Sequence, residues 1–234
     1  MLKIKYFIGI ILLSVQANVF ADCVILLHGL TRSADSMKKM EVRLIAAGYH
    51  TVNLDYPSTK FNIEQLTEKT IEPAIKKCPK GQKVHFVTHS LGGILIRNYL
   101  NKKAIKKLHR VVMLGPPNQG SEVVDKLKNI PGFYFINGEA GLQLGTDSKS
   151  IPMQLGEANF ELGIIAGNWS INFILSTLIP GNDDGKVSVE RSKLKGMSDH
   201  IIMPVTHPFM MKNEKVISQV ITFLESGQFT YNRQ

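Results

Sequence analysis

The sequence predicts an α/β fold, a mostly parallel central sheet with helices on both faces. Three observations carry that prediction. Short apolar runs at residues 24–27, 51–54, 84–87, 110–114, 162–166 and 201–205 alternate, for the most part, with stretches of helical period, which is the rhythm of βα units. Chemistry-bearing residues fall where several of these runs end: His28-Gly29, Asp55, Ser90 and Gly115-Pro116. In parallel sheets, ligands sit at the carboxyl ends of strands. The stretch 84–93, Val-His-Phe-Val-Thr-His-Ser-Leu-Gly-Gly, reads as a buried strand, a sharp turn centred on Ser90 and the start of a helix. Such a turn lifts a serine hydroxyl out of the sheet and sets it by a helix N-terminus, where free N–H groups and the helix dipole favour developing negative charge. Gly92 and Gly93 supply the small side chains that close strand–helix packing requires, and Thr88 stands where such turns usually carry glycine.

The chain has 234 residues and an ordinary globular composition, which suits one domain with a full core. Lys3 and Lys5 precede an apolar run, and Val19 and Ala21 are small residues at the spacing of a cleavage site. Residues 1–21 therefore read as a secretory signal peptide, with residues 22–234 as the exported domain in the periplasm or outside the cell. The run is short for a membrane anchor, and Asp22 sits where a lipid-anchored Cys23 would need a small neighbour. Removing residues 1–21 lowers the net charge from +9 to +7. The one basic cluster, Lys102, Lys103, Lys106, Lys107 and Arg110, lacks interleaved aromatics and reads as a solvated helix end, not a nucleic-acid surface. Export permits a disulfide, and the two cysteines, Cys23 and Cys78, both precede strands at the end of the sheet away from Ser90, so they are expected to pair.

Taken in order, the strand at 24–27 leads to a helix capped near Ser33 or Ser36, with Met37, Met40, Leu44 and Ala47 on one face and Gly48 closing it. After the strand at 51–54, Asn62 and Gln65 form a capping-box pattern for a helix bearing Ile63, Leu66, Ile71 and Ile75, and Pro73 predicts a kink or an early end. Beyond the strand at 110–114 the rhythm breaks. Residues 129–162 are glycine-rich with few periodic apolar positions, which reads as an irregular lid or binding-loop insertion. After the strand at 162–166, Ile171, Ile174, Leu175 and Leu178 predict a helix over 169–179, either walling an acyl pocket or simply buried.

An activated serine needs a base, and the base needs an orienting carboxylate. Of the seven histidines, only His200 and His207 follow both Ser90 and a candidate acid. His200 opens the strand at 201–205 and His207 lies just past it, about 20 Å further along at roughly 3.3 Å per residue. His207 is thus at the Ser90 end and is the expected base. The acid is expected in the turn Pro180-Gly181-Asn182-Asp183-Asp184-Gly185. Asp184, directly before Gly185, is preferred to Asp183, which is left to cap the turn; Asp55 precedes Ser90 and is the weaker candidate. Two N–H donors are expected to hold an oxyanion: Leu91, next after the serine, and Leu30, in the loop after the first strand. His28 is expected to brace that loop.

His28-Gly29-Leu30, His89-Ser90-Leu91-Gly92-Gly93, Pro117-Asn118-Gln119-Gly120-Ser121, Asn182-Asp183-Asp184-Gly185-Lys186-Val187 and Thr206-His207 together resemble the α/β-hydrolase superfamily. The likeness is to its bacterial lipase-like and glycosylphosphatidylinositol-deacylase-like branch. It implies an α/β-hydrolase fold, a Ser90–Asp184–His207 triad with Leu30 and Leu91 at the oxyanion, and no metal or organic cofactor. It also implies ester hydrolysis; the apolar segments around the expected mouth favour lipid or acyl-ester substrates, with peripheral contact with a lipid surface. The rival readings are an acyltransferase or thioesterase using the same residues, and a non-catalytic binding protein on a hydrolase scaffold.

Overall fold

In this computed structural model residues 22–231 are described; the leader read at 1–21 lies outside the described residues. The strands are β1 (Cys23–Leu27), β2 (His50–Leu54), β3 (Val84–His89), β4 (Leu108–Leu114), β5 (Glu161–Gly167) and β6 (Asp199–Met203). They align as β2-β1-β3-β4-β5-β6 in one six-stranded sheet, every pairing parallel. The order reverses between β1 and β3, the kind of switch point at which doubly wound sheets open a crevice. β3 runs straight into Ser90.

Side-chain alternation sorts the strands into two cores. Cys23, Ile25, Leu27 and Phe86 face α2 (Ile63–Lys77) and α3 (Leu91–Lys102), while Val24, Leu26, Val87 and Val112 face α1 (Lys38–Ala46) and the C-terminal helix (Glu214–Ser226). Met37, Met40 and Leu44 are fully buried in the second core, so the methionine-rich stripe is packing. The α2 capping box forms, with Gln65 N donating to Asn62 Oδ1 at 2.9 Å. Pro73 does not end α2, which continues to Lys77. Proline removes one backbone donor there, while Ile71 and Ala74 stay buried on either side and Cys78, at the helix end, is tied to Cys23. In the basic cluster, Lys103 reaches Glu72 on the surface, whereas Arg110 is not part of a helix end: it lies in β4, is 16% exposed, and bonds Glu161 and Leu224 O.

Two segments differ from the sequence reading. The insertion is not irregular: it contains α5 (Phe133–Leu142) and α6 (Ile151–Gln154), which follow α4 (Glu122–Leu127). Gly138, at φ 64 and ψ −170, breaks α5 into two pieces, and Tyr134, Phe135 and Ile136 point to solvent, so no continuous apolar face marks the helix in sequence. Its second half is anchored: Ile63 N donates to Gln143 Oε1 at 2.7 Å. In the stretch 169–179 only one short helix forms, α7 (Phe173–Ser176), capped by Asn172, and Trp169, Ile171, Phe173 and Ile174 are exposed. The apolar spacing was helical, but the segment lies along the surface and has no second face to cover it, so neither an eleven-residue helix nor a buried one results. The last strand also begins two residues early, placing His200 inside β6 with Nε2 3.2 Å from Ser192 Oγ.

Cys23 and Cys78 form a disulfide with 5.8 Å between Cα atoms, closing a separation of 55 residues. Chain-entropy arguments assign such a loop about 4 kcal/mol. Reduction is therefore expected to lower the unfolding free energy by about that amount in urea titrations, and an unchanged midpoint would contradict the clamp.

Burial also sets an acid limit. The pKa of His85 is lowered to about 4, first by desolvation and against the pull of Asp22, 3.3 Å from its Nε2; His109 and Arg110 lower it further. A histidine whose folded pKa lies below its unfolded value binds fewer protons when folded, so stability falls as pH drops from about 6.5 towards 4. Its share is on the order of 3 kcal/mol below that window. Denaturant titrations at pH 7 and pH 4.5 should show a smaller acid loss in His85→Gln than in the wild type.

Candidate active site

Ser90 adopts φ 52 and ψ −118, one of two described non-glycine residues at positive φ. The turn is tight because three chains meet there. A Cβ on Gly92 would lie 2.8 Å from Leu27 O and 3.0 Å from His28 O, so α3 rests directly on the end of β1. A Cβ on Gly29 would lie 2.6 Å from His89 Nδ1 and 3.2 Å from Ser90 Cβ. Thr88 is accommodated: its Oγ1 would sit 3.3 Å from a Cβ on Gly93, so a glycine on the helix takes up the space the threonine needs. Ser90 N donates to Leu114 O at 3.0 Å, tying the turn to β4. Leu91 opens α3, and the first N–H groups of a helix have no intrahelical partner.

Asp184 is 1% exposed and is the carboxylate that meets His207: His207 Nδ1 donates to Asp184 Oδ2 at 2.7 Å. Asp184 Oδ1 accepts from Lys186 N at 3.0 Å and Val187 N at 2.9 Å, and His207 N donates to Asp184 O at 2.9 Å. The acid is thus held by its own turn and bonded twice to the histidine's loop. Asp183 turns the other way, accepting from Gly185 N at 2.7 Å and Ser176 Oγ at 2.8 Å. Asp55 is on the surface beside His28, 3.4 Å from its Nε2. Burial lowers the His28 pKa, so the ring is neutral. Nδ1 donates to Gly29 O at 2.9 Å, Nε2 accepts from Tyr56 N at 3.2 Å, and the ring stacks on Tyr56 at 3.9 Å. His28 therefore braces the loop that carries Leu30.

Ser90, His207, Asp184 and Leu30 all line one cavity of about 270 Å³. Its apolar wall comes from Val124, Phe133, Leu144, Ile171 and Leu175. The segment around α7 thus lines the cavity while its outer face stays exposed. Among the described residues no cluster of three or more His, Cys, Asp or Glu side chains has the geometry of a metal site.

No family model and no curated protein sequence matches the chain. Solved structures do. The mature form of Bacillus licheniformis lipase BlEst2 superposes with a TM-score of 0.72 at 21% identity, over 89% of this chain and 93% of that one. The metagenomic carboxyl esterase MGS0156 follows at 0.68 and 15% identity, over 81% of this chain and 65% of that one. Phospholipase PlaB from Legionella pneumophila gives 0.57 at 16% identity over 74% of this chain, which spans 46% of PlaB. The chain has the α/β-hydrolase fold.

Within that hydrolase fold several residues support the site in ways the sequence did not assign. His89 is fully enclosed and its pKa lies well below the usual value, chiefly through burial and then through the nearby His207. The neutral ring donates from Nε2 to His207 O at 3.0 Å and lies 4.7 Å from the His207 ring. Tyr56 donates its hydroxyl to His28 O. Gly115, at φ 52, passes directly beneath the acid–histidine pair: a Cβ there would lie 2.8 Å from Asp184 Oδ2 and 3.0 Å from His207 Nδ1. Gly167 does the same under Asp184 Cβ, at 2.8 Å. The signal for both was a glycine at the carboxyl end of a strand.

Gly115→Ala is expected to push Asp184 and His207 apart. Proton NMR should show the downfield Nδ1–H resonance of that bond in the wild type and its loss in Gly115→Ala; its persistence would mean the site absorbs the methyl group.

Proposed function

We propose that this protein is an exported serine hydrolase that cleaves carboxylic esters, lipid or acyl esters above all, through an acyl-enzyme. The observation that carries the reading is the Asp184–His207 bond at the wall of the cavity onto which Ser90 opens. With Nδ1–H committed to Asp184, the lone pair of His207 is on Nε2, ready to take the Ser90 proton. Ser90 Oγ attacks the ester carbonyl, and the N–H groups of Leu30 and Leu91 hold the resulting oxyanion; each such donor contributes on the order of 10²–10³ in rate. Collapse releases the alcohol, which receives the proton from His207. Water then attacks the acyl-enzyme by the same route, His207 removing its proton and returning it to Ser90 as the acid leaves. No cofactor enters these steps.

A lipid or acyl substrate is supported by the apolar cavity wall and by the rim. Phe135 is 92% exposed, Phe173 80% and Ile174 79%, and each belongs to a segment that lines the cavity through Phe133, Ile171 or Leu175. The 129–162 insertion acts here as a lid, and the two apolar lips make peripheral contact with a lipid surface. The fold neighbours named as lipase, carboxyl esterase and phospholipase point the same way. Export is supported by the disulfide, since such bonds persist in oxidising compartments.

A fluorophosphonate probe should label the wild type once, at Ser90, and leave Ser90→Ala unlabelled. Asp184→Asn should slow labelling roughly 10⁴-fold. Labelling that survives in Ser90→Ala, or wild-type rates in Asp184→Asn, would refute the assignment.

A further inference from the structure

Two cations line the cavity. Arg32 follows Leu30 by two residues in the loop after β1, and Lys186 follows Asp184 by two residues in the acid's turn. Both line the same cavity as Ser90 and His207, and both side chains reach solvent. Among the described residues neither has a carboxylate within salt-bridge distance, whereas Arg43, Arg110 and Arg191 each pair with a glutamate and Arg97 is spent on backbone carbonyls. The one carboxylate lining the cavity is Asp184, and its two oxygens are taken by the Lys186 and Val187 N–H groups and by His207. The lysine is close enough to Arg32 to feel it: desolvation and then the guanidinium lower its pKa. Two like charges set about one cavity repel each other; Asp184 offsets part of that repulsion at Lys186, but its oxygens are already bonded, and a further anion bound by both cations would relieve the rest.

We propose that Arg32 and Lys186 recognise a phosphate group on the substrate, so that the preferred ester is a phosphate-bearing acyl lipid whose chain lies against Val124, Phe133 and Leu175. The identity of the substrate as an ester rests on the hydrolase reading above; the anion site itself does not. A guanidinium offers a planar fork to two phosphate oxygens and an ammonium a compact point charge to a third, and the two arrive on separate loops, as a tetrahedral anion with several oxygens requires. Among the described residues the lining holds no other lysine or arginine, and its apolar residues supply the wall suited to hydrocarbon.

The test uses two ether lipids that no esterase can cleave, 1-O-dodecylglycerol and its 3-phosphate, titrated calorimetrically into the mature protein below their micelle concentrations. The phosphate form is expected to bind at least 10-fold more tightly at low salt, with the gap narrowing as salt rises. In Arg32→Gln/Lys186→Gln the two lipids should bind within about 2-fold of each other, while the charge-preserving swap Arg32→Lys/Lys186→Arg should keep most of the preference, which separates lost charge from lost fold. Equal binding of the two lipids by the wild type, no binding of either, or a preference that survives in the double glutamine variant overturns the proposal. So does inorganic phosphate binding as tightly as the phosphorylated lipid, since that would mark a general anion site. Fluorophosphonate labelling of Ser90 reports on the hydrolase reading separately: labelling without phosphate preference sinks this inference alone, and phosphate preference without labelling sinks the hydrolase reading alone.

Discussion

The backbone of Ser90 at φ 52 is the constraint from which the rest of the site follows. A side chain in that region costs on the order of 1–3 kcal/mol and persists only where its surroundings over-determine it. Here they do. Gly92 lets α3 sit on the carbonyls of Leu27 and His28, Gly29 lets the neighbouring loop pass over Ser90, and the Ser90 N–H is bonded to β4. Adding a methyl at either glycine would push the helix or the loop off the strand end, and the serine would relax with it. The two amides proposed for the oxyanion belong to these same segments, so the strain and the donor geometry have one origin.

The second layer is electrostatic. The histidines behind the site are kept neutral by burial, which gives each a defined tautomer and hence a defined hydrogen bond: His28 holds the Leu30 loop, and His89 holds the carbonyl of His207. Neither adds charge beneath the cavity. The buried charge there belongs to Asp184, matched by His207 and by two backbone amides. Gly115 and Gly167 leave room for that pair. Such a layout places one imidazole, held by a buried carboxylate, beside a largely apolar chamber whose lining includes one arginine and one lysine, Arg32 and Lys186.

Much of this was legible in the sequence because the sheet is parallel and buried. Continuous apolar runs announced the strands, and their carboxyl ends announced the positions of His28, Asp55, Ser90 and Gly115. His207 was separated from His200 by which end of the last strand each occupies, an argument that tolerates the two-residue shift of β6. Segments that do not bury a periodic face were less legible. The α7 segment has helical apolar spacing but lies exposed, because its side chains line a cavity and a rim instead of a core. In α5, Gly138 interrupts the period, and burial is confined to the half docked against α2. Pro73 failed as a stop signal since tertiary packing on both sides outweighs one missing donor. The pairing of Arg32 with Lys186 could not be read at all: it arises from two loops more than 150 positions apart that meet only once the sheet is formed.

The most direct measurement is a crystal structure of the protein inactivated with an alkyl phosphonate. Phosphorus is expected to be bonded to Ser90 Oγ, with the phosphonyl oxygen within hydrogen-bond distance of the Leu30 and Leu91 amides, His207 still bonded to Asp184, and the alkyl chain along the wall of Val124, Phe133 and Leu175. An adduct on any other residue, or a phosphonyl oxygen turned away from both amides, would contradict the proposed mechanism.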